Sequence, residues 1–287
     1  MLEVHDELQN TVWVYSINPL PLDRQQVPEL RIRPMCTRYI SPEDREIEAF
    51  WAIDRKTNRR KDWVSLLQVF PLSKAPFVRR ARDVTEYERE LVVGQWGLIP
   101  PWSVTNVPHS KPTKEEKEKG KKGKRLSTVN SRTDRMEKSF TFRNAWKCGQ
   151  RCIIPANSFD EPNWESGSNV WWRFRRADGN PWGVAGLWDV WEDPETGEEW
   201  DSYTMLTMNA NLHPLMSRMH KPEFDRKTGE PIFDKRSVVL LEPHDFDRWL
   251  TCTIKEARDM IELAPVEFFD AGPAGDSSPA GTELEEA

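Results

Sequence analysis

The chain has 287 residues, 37% of them hydrophobic and 31% charged, with a formal net charge of −6. This length suits one large domain or two small ones, and the balance suits a globular protein with mobile polar segments. No run approaches the roughly 20 apolar residues of a membrane-spanning helix, the acidic N-terminus lacks the apolar stretch of a secretion signal, and four cysteines in so long a chain do not make a disulfide scaffold, so a reduced, cytoplasmic protein is expected.

Charge is unevenly spread. From Pro265 onward there are six acids and no Lys or Arg, and residues 1–34 hold five acids against three arginines. The stretch between them, 35–264, is therefore mildly basic at net +2, which permits a local basic groove. Fourteen tryptophans offer stacking faces for nucleic acid bases, although core burial is the commoner use of this side chain.

Residues 1–34 contain Pro19, Pro21, Pro28 and Pro34 and no apolar period, and read as an extension with little fixed structure. Ser41-Pro42-Glu43 opens a helix, with Ser41 as N-cap and Pro42 at the first helical position, and Ile47, Phe50, Trp51 and Ile53 follow at roughly helical spacing. Strands are predicted over 63–70 and 91–96. Residues 109–125, HSKPTKEEKEKGKKGKR, cannot bury apolar surface. They are expected to form a mobile basic loop, either simply solvated or a flap that touches phosphate. Further strands are predicted over 151–155, 170–175, 182–188, 203–208 and 237–241, and helices over 144–149, 243–250 and 255–263. Residues 266–287 read as a disordered acidic tail. Many short strands and few helices predict a β-rich α+β fold: one domain over 35–265, on a curved or barrel-like sheet with a few flanking helices.

Four segments stand out together: Met35-Cys36-Thr37-Arg38-Tyr39; Trp96-Gly97-Leu98-Ile99-Pro100-Pro101-Trp102; Asn130-Ser131-Arg132-Thr133-Asp134, followed by Phe142-Arg143; and Arg151-Cys152-Ile153-Ile154-Pro155-Ala156-Asn157-Ser158-Phe159-Asp160-Glu161. In this order the set resembles the SRAP family, the SOS-response-associated peptidase domain, also called abasic site processing protein. The resemblance runs from Met35 to about Pro265.

The resemblance implies binding of single-stranded DNA and covalent capture of abasic sites through Cys36, in the DNA-damage (SOS) response of a bacterial cytosol or nucleoid. It also implies a peptidase-like, self-processing character in the hydrolase class. The chemistry explains the residue types. An abasic sugar opens to an aldehyde at C1′. An α-amine, with a reference pKa near 8, forms a Schiff base with it. A cysteine thiol on the same residue then adds to the imine carbon and closes a thiazolidine ring, and only an N-terminal cysteine carries both nucleophiles.

By resemblance Asn130 positions the amine or the sugar, and Glu161 is the general acid/base. Arg38 and Arg132 hold phosphates, and Trp96 or Trp102 lies near the DNA-binding face. No cofactor or metal is implied; Cys148 and Cys152 lack a matching Cys/His pair downstream. A monomer is expected.

The chain departs from the family pattern in three places. The family's catalytic His falls on Met216, with His213 three residues before and His220 four after it; either can replace it, His220 being favoured because Arg218-Met219-His220-Lys221-Pro222 resembles the family's R-M-P. Thirty-four residues precede Met35. Translation begins at Met35, or the extension is cleaved, or it persists and disables the cross-link. Thr37 stands where Gly is commoner, a change with little effect if its φ is negative. Two other classes compete with covalent capture: a non-catalytic single-strand-binding module, and a thiol protease acting on other proteins.

Overall fold

The central strands of this chain are apolar on both faces. Arg151–Ala156 is buried at every position, and Trp182–Glu192 is buried over its first six. Such strands need cover on both sides, and alternation sends neighbouring side chains to different cores. Phe77, Val92, Trp96, Cys152, Ile154, Val184, Tyr203 and Met205 enter one apolar cluster. Val78, Leu91, Ile153, Ala185, Leu187 and Leu206 enter a second, which also takes in Ile47, Trp51, Trp146, Phe246 and Trp249 from the short helices.

The computed structural model describes residues 36–53, 68–82 and 84–275. The expectations for residues 1–34, for strand residues 63–67 and for tail residues 276–287 lie outside these. In chain order the elements are β1 (Tyr39–Ile40), α1 (Asp44–Phe50), β2 (Gln68–Val69), β3 (Lys74–Arg80), β4 (Arg89–Trp96), α2 (Lys114–Glu118), β5 (Asn130–Arg132), α3 (Arg143–Lys147), β6 (Arg151–Ala156), β7 (Ser158–Asn163), β8 (Val170–Arg176), β9 (Trp182–Glu192) and β10 (Glu199–Asn209). There follow β11 (Glu223–Phe224), β12 (Pro231–Ile232), β13 (Arg236–Val238), β14 (Leu240–Leu241), α4 (Phe246–Thr251), α5 (Ile254–Asp259) and β15 (Phe269–Pro273).

β3, β4, β10, β9 and β6 pair in a ring. Four of the joints are antiparallel, while β4 and β10 run parallel. The result is a closed, barrel-like sheet, extended by β5 and β13 on β10 and by β14 on β9. A second sheet, ordered β15-β8-β7-β1-β2, contributes Phe159 and Phe174 to the first cluster. The β-rich architecture with few helices agrees with the expectation from strand count.

Local chemistry explains several joints. Arg151 donates to the carbonyls of Trp249, at 2.5 Å, and Cys252. The first arginine of the R-C-I-I-P motif thus satisfies orphan carbonyls at the end of α4. Gly97 has φ +132°, a conformation open to glycine, and its N–H reaches the Tyr203 carbonyl at 2.9 Å.

Some expectations need correction. α1 starts at Asp44 after Glu43, with no side-chain cap, because the Ser41 hydroxyl donates to the Pro42 carbonyl instead. Residues 109–125 are not structureless: Thr113 and Glu116 form a capping box on α2, and His109 bridges to Arg125. The expected tail contains β15, paired with β8 from Phe269↔Arg176 to Pro273↔Trp172, because Phe268 and Phe269 pack on the first core. The predicted 237–241 strand divides into β13 on β10 and β14 on β9.

Gly186 faces Cys152 on β6 and Met205 on β10. A Cβ there would collide with Ile154 and come within 2.6 Å of the Thr204 carbonyl oxygen. Gly186→Ala is therefore expected to destabilise the fold by about 1–3 kcal/mol through overpacking. Thermal denaturation checks this; an unchanged melting temperature would contradict so close a fit of the barrel wall.

Candidate active site

β1 and β7 are antiparallel, with Tyr39 opposite Phe159. Continuing that register brings the segment before β1 alongside Glu161. The Cys36 N–H donates to Glu161 Oε2 at 3.2 Å, and the Asn130 amide, from β5, donates to the Cys36 carbonyl at 3.3 Å. Asn130 Oδ1 is buried with no hydrogen-bond partner. The left-handed conformation falls on Cys36 itself, at φ +35°, and not on Thr37.

The two histidine candidates separate clearly. His213 is engaged structurally: Nδ1 accepts from the Leu215 and Met216 N–H groups at 3.1 and 3.0 Å, and Nε2 lies 2.9 Å from the Ala264 carbonyl. His220 Nε2 lies 3.7 Å from Glu161 Oε2 and has no hydrogen-bond partner. Met216, at the position where the family pattern has His, is fully buried in the core. Cys36, Asn130, Glu161 and His220 thus converge, and His213 does not join them.

A family model described as SOS response associated peptidase (SRAP) matches residues 35–273. The chain belongs to the SRAP family. The abasic site processing protein HMCES of Xenopus tropicalis is 26% identical over 212 residues, covering 67% of this chain and 54% of that protein. The abasic site processing protein YoqW of Bacillus subtilis (strain 168) is 29% identical over 161 residues, covering 53% of this chain and 64% of that protein. This SRAP chain therefore matches less than two thirds of the length of either relative. A crystal structure of a protein from Bordetella bronchiseptica has the same fold with TM-score 0.65 and 32% identity, over 83% of this chain and 99% of that one. One from Bacteroides thetaiotaomicron, 21% identical, shows the fold alone, with TM-score 0.58 over 82% of this chain and 90% of that one.

The residues expected at a DNA face are placed less simply in this SRAP domain. Trp96 does not face solvent: it is fully buried and its indole N–H donates to the Val129 carbonyl at 3.0 Å, because alternation along β4 turns it into the barrel core. Trp102 is half-buried, donates to the His109 carbonyl at 3.0 Å, and carries the Lys111 ammonium over its ring at 4.9 Å. Arg38 is 6% exposed; it pairs with Asp160 at 2.5 Å and lies over the Trp171 ring at 5.2 Å. Arg132 pairs with Asp134 and Asp234. Both arginines are thus already matched by carboxylates.

Asp160 was not singled out in the sequence, yet it also takes a two-pronged bond from Arg173 at 2.9 and 3.0 Å; its position beside Glu161 in an apolar run was the available signal. The tryptophan surplus serves packing: five of the largest fully buried side chains are Trp. No helix among the described residues is long and apolar enough to cross a membrane. Among the described residues no group of three or more His, Cys, Asp or Glu gathers to hold a metal ion.

Electrostatics follow burial. Desolvation pushes the Glu161 carboxyl up to about 8; the Cys36 N–H opposes that rise and Asp160 adds to it. Desolvation, with Lys235 second, pushes the His220 imidazole down to about 4. Burial, then Glu161 and Asp160, pushes the Cys36 thiol well above its usual range. At neutral pH the site holds a protonated carboxyl, a neutral imidazole and a thiol.

The raised Glu161 value has a thermodynamic consequence. The folded state holds this proton up to about pH 8, whereas the unfolded chain loses it near 4.3. The resulting stabilisation is full below the unfolded value and is lost as pH rises through about 8. In the full-length chain, Glu161→Gln is expected to leave the melting temperature near wild type at about pH 5 and raise it by roughly 5 °C at about pH 9. Melting curves at the two pH values check this, and an equal shift at both would contradict a neutral Glu161.

Proposed function

We propose that this protein processes abasic sites in single-stranded DNA by covalent capture, with Cys36 as the first residue of the working chain. The observation that carries the proposal is the Cys36 backbone nitrogen 3.2 Å from Glu161 Oε2. Once Met35 is removed, that nitrogen is an α-amine beside a group able to take and return its proton.

The amine attacks C1′ of the ring-opened sugar, and water leaves as the imine forms. The Cys36 thiol adds to the imine carbon, its proton passes to nitrogen, and the thiazolidine closes. Glu161 supplies a proton to the departing oxygen, and His220 Nε2 is available to move protons on the sugar side. Asn130 holds the Cys36 carbonyl and so orients both nucleophiles. The peptidase-like, self-processing step is the hydrolysis of the Met35–Cys36 peptide bond, in which water is consumed, residues 1–35 leave with the new carboxyl group and the Cys36 amine is freed. The names of the HMCES and YoqW relatives support abasic sites as the substrate class. Arg132, the more exposed of the two arginines, reaches phosphate by exchanging a carboxylate partner, while Arg38 stays on the buried Asp160, and Trp102 is the remaining candidate for stacking.

The raised thiol favours this order of events over a protease dyad. A thiol protease needs a thiolate held at low pKa by a neighbouring cation. Burial above all disfavours the Cys36 thiolate, and the neighbouring Glu161 and Asp160 act in the same direction.

A chain beginning at Cys36 is expected to form a heat-stable adduct with single-stranded DNA in which a uracil has been excised by uracil glycosylase. Cys36→Ala should abolish the adduct, one extra residue ahead of Cys36 should block it, and Glu161→Gln should slow it by about 10²-fold or more. Denaturing gel electrophoresis reads all three. Survival of the adduct in Cys36→Ala would falsify the assignment, and binding without any adduct in the wild type would favour a non-catalytic single-strand-binding module.

A further inference from the structure

We infer that Lys235 is the positioning residue for His220, holding its backbone in the conformation that presents the imidazole to Glu161. This rests on the proposed role of Cys36, Glu161 and His220 as the reacting set.

His220 has φ +64°. A non-glycine residue held there is strained, and such strain persists only where the surroundings enforce it. Two contacts enforce it. The His220 N–H donates to the Pro162 carbonyl at 2.6 Å, one residue beyond Glu161 on β7. The Lys235 ammonium donates to the carbonyls of both Met219 and His220, at 2.6 and 2.7 Å. Two successive carbonyls converge on one cation, and a compact ammonium with rotatable donors suits that geometry better than a planar guanidinium.

Lys235 is itself fixed. Its N–H donates to Asn211 Oδ1 at 2.7 Å, and its carbonyl accepts from the Ala210 N–H at 2.8 Å, so the residue is tied to the segment that follows β10. The preceding Asp234 pairs with Arg132 and Arg236. This chain of contacts connects β5, which carries Asn130, to the His220 segment by way of the Asp234–Lys235 main chain.

The charges facing the imidazole come from several elements. Glu161 approaches from β7 at 3.7 Å, with the Cys36 segment beyond it. Lys235 approaches from the segment before β13. On the histidine's own segment, Arg218 is paired with Glu165 and Lys221 lies over the Trp164 ring. Lys235 is the cation whose field disfavours a protonated His220, so the same ammonium that fixes the backbone helps to keep the ring neutral.

The test uses the full chain with ¹³C-labelled histidine, the His220 signal being assigned by its loss in His220→Gln. Wild-type His220 is expected to stay neutral until about pH 4. Lys235→Met should move that titration up by about one pH unit and broaden the signal as the backbone anchor is lost. In the form of the chain that yields the DNA adduct, the same variant should slow adduct formation about tenfold or more, with single-stranded DNA affinity unchanged. Lys235→Gln keeps a donor without the charge; it should move the titration by about as much as Lys235→Met and slow the adduct less, and it serves if the Met variant fails to fold. Wild-type titration in the variant would overturn the inference, and so would a wild-type adduct rate. If the wild type forms no adduct at all, the proposed function fails separately, and the titration alone decides whether Lys235 anchors His220.

Discussion

The antiparallel pairing of β1 with β7 is the contact on which the site depends, and by itself it is slight. Only Tyr39 and Ile40 pair with Phe159 and Ser158, and a slip of one residue would turn Glu161 away from Cys36. The register is held by what surrounds it. The Asp160 N–H donates to the Arg38 carbonyl at 3.1 Å and the Asn157 N–H to the Ile40 carbonyl at 2.7 Å. Arg38 and Arg173 converge on the fully buried Asp160, a charge too costly to leave unpaired in an apolar setting. The Tyr39 hydroxyl meets the Tyr203 hydroxyl of β10 at 2.6 Å, and the Tyr39 ring sits edge-on to Trp96 at 5.1 Å. The W-G motif thus supports the site from beneath: Trp96 braces Tyr39, and Tyr39 ties the short strand to the barrel.

The site concentrates both strain and suppressed charge. Among the described residues, four non-glycine positions have positive φ, and two of them are Cys36 and His220. Backbone strain of this kind collects where geometry serves chemistry. Burial keeps Glu161 protonated at neutral pH, opposite to what it would do in water, and holds His220 neutral well below the pH at which a free imidazole takes up its proton. A carboxyl able to give a proton and an imidazole able to take one then stand 3.7 Å apart. Such a pair suits imine chemistry, in which protons must be both delivered and removed, and it suits thiolate chemistry poorly.

Much of this was legible in linear order. Cys36, Asn130 and Glu161 sit in short motifs whose residue types declare their chemistry. The strands at 91–96, 151–155, 170–175 and 203–208 have the apolar and β-branched composition of sheet, and the structure extends them by between one and five residues. Lys74–Arg80 was passed over because Lys, Pro and two arginines dilute its pattern, although it is buried over its five central residues. The choice between Trp96 and Trp102 is open in the sequence because a motif identifies which residues belong together and not which way each points; the structure buries Trp96. The choice between His213 and His220 was open because both flank Met216; it depended on which imidazole the chain turned toward β7 and which it used to cap its own turn.

The sequence by itself determined the family and the β-rich class and singled out Cys36 as the candidate nucleophile, because each rests on residue type and local spacing. Tertiary structure alone decided the closure of β10 against both β4 and β9, the approach of His220 to Glu161, the pairing of Arg38 and Arg132 with acids, and the contacts of the Lys235 ammonium with the Met219 and His220 carbonyls. Each of these joins residues that are distant in the chain. Their distances, burial and protonation are set by packing and desolvation, which no local pattern encodes.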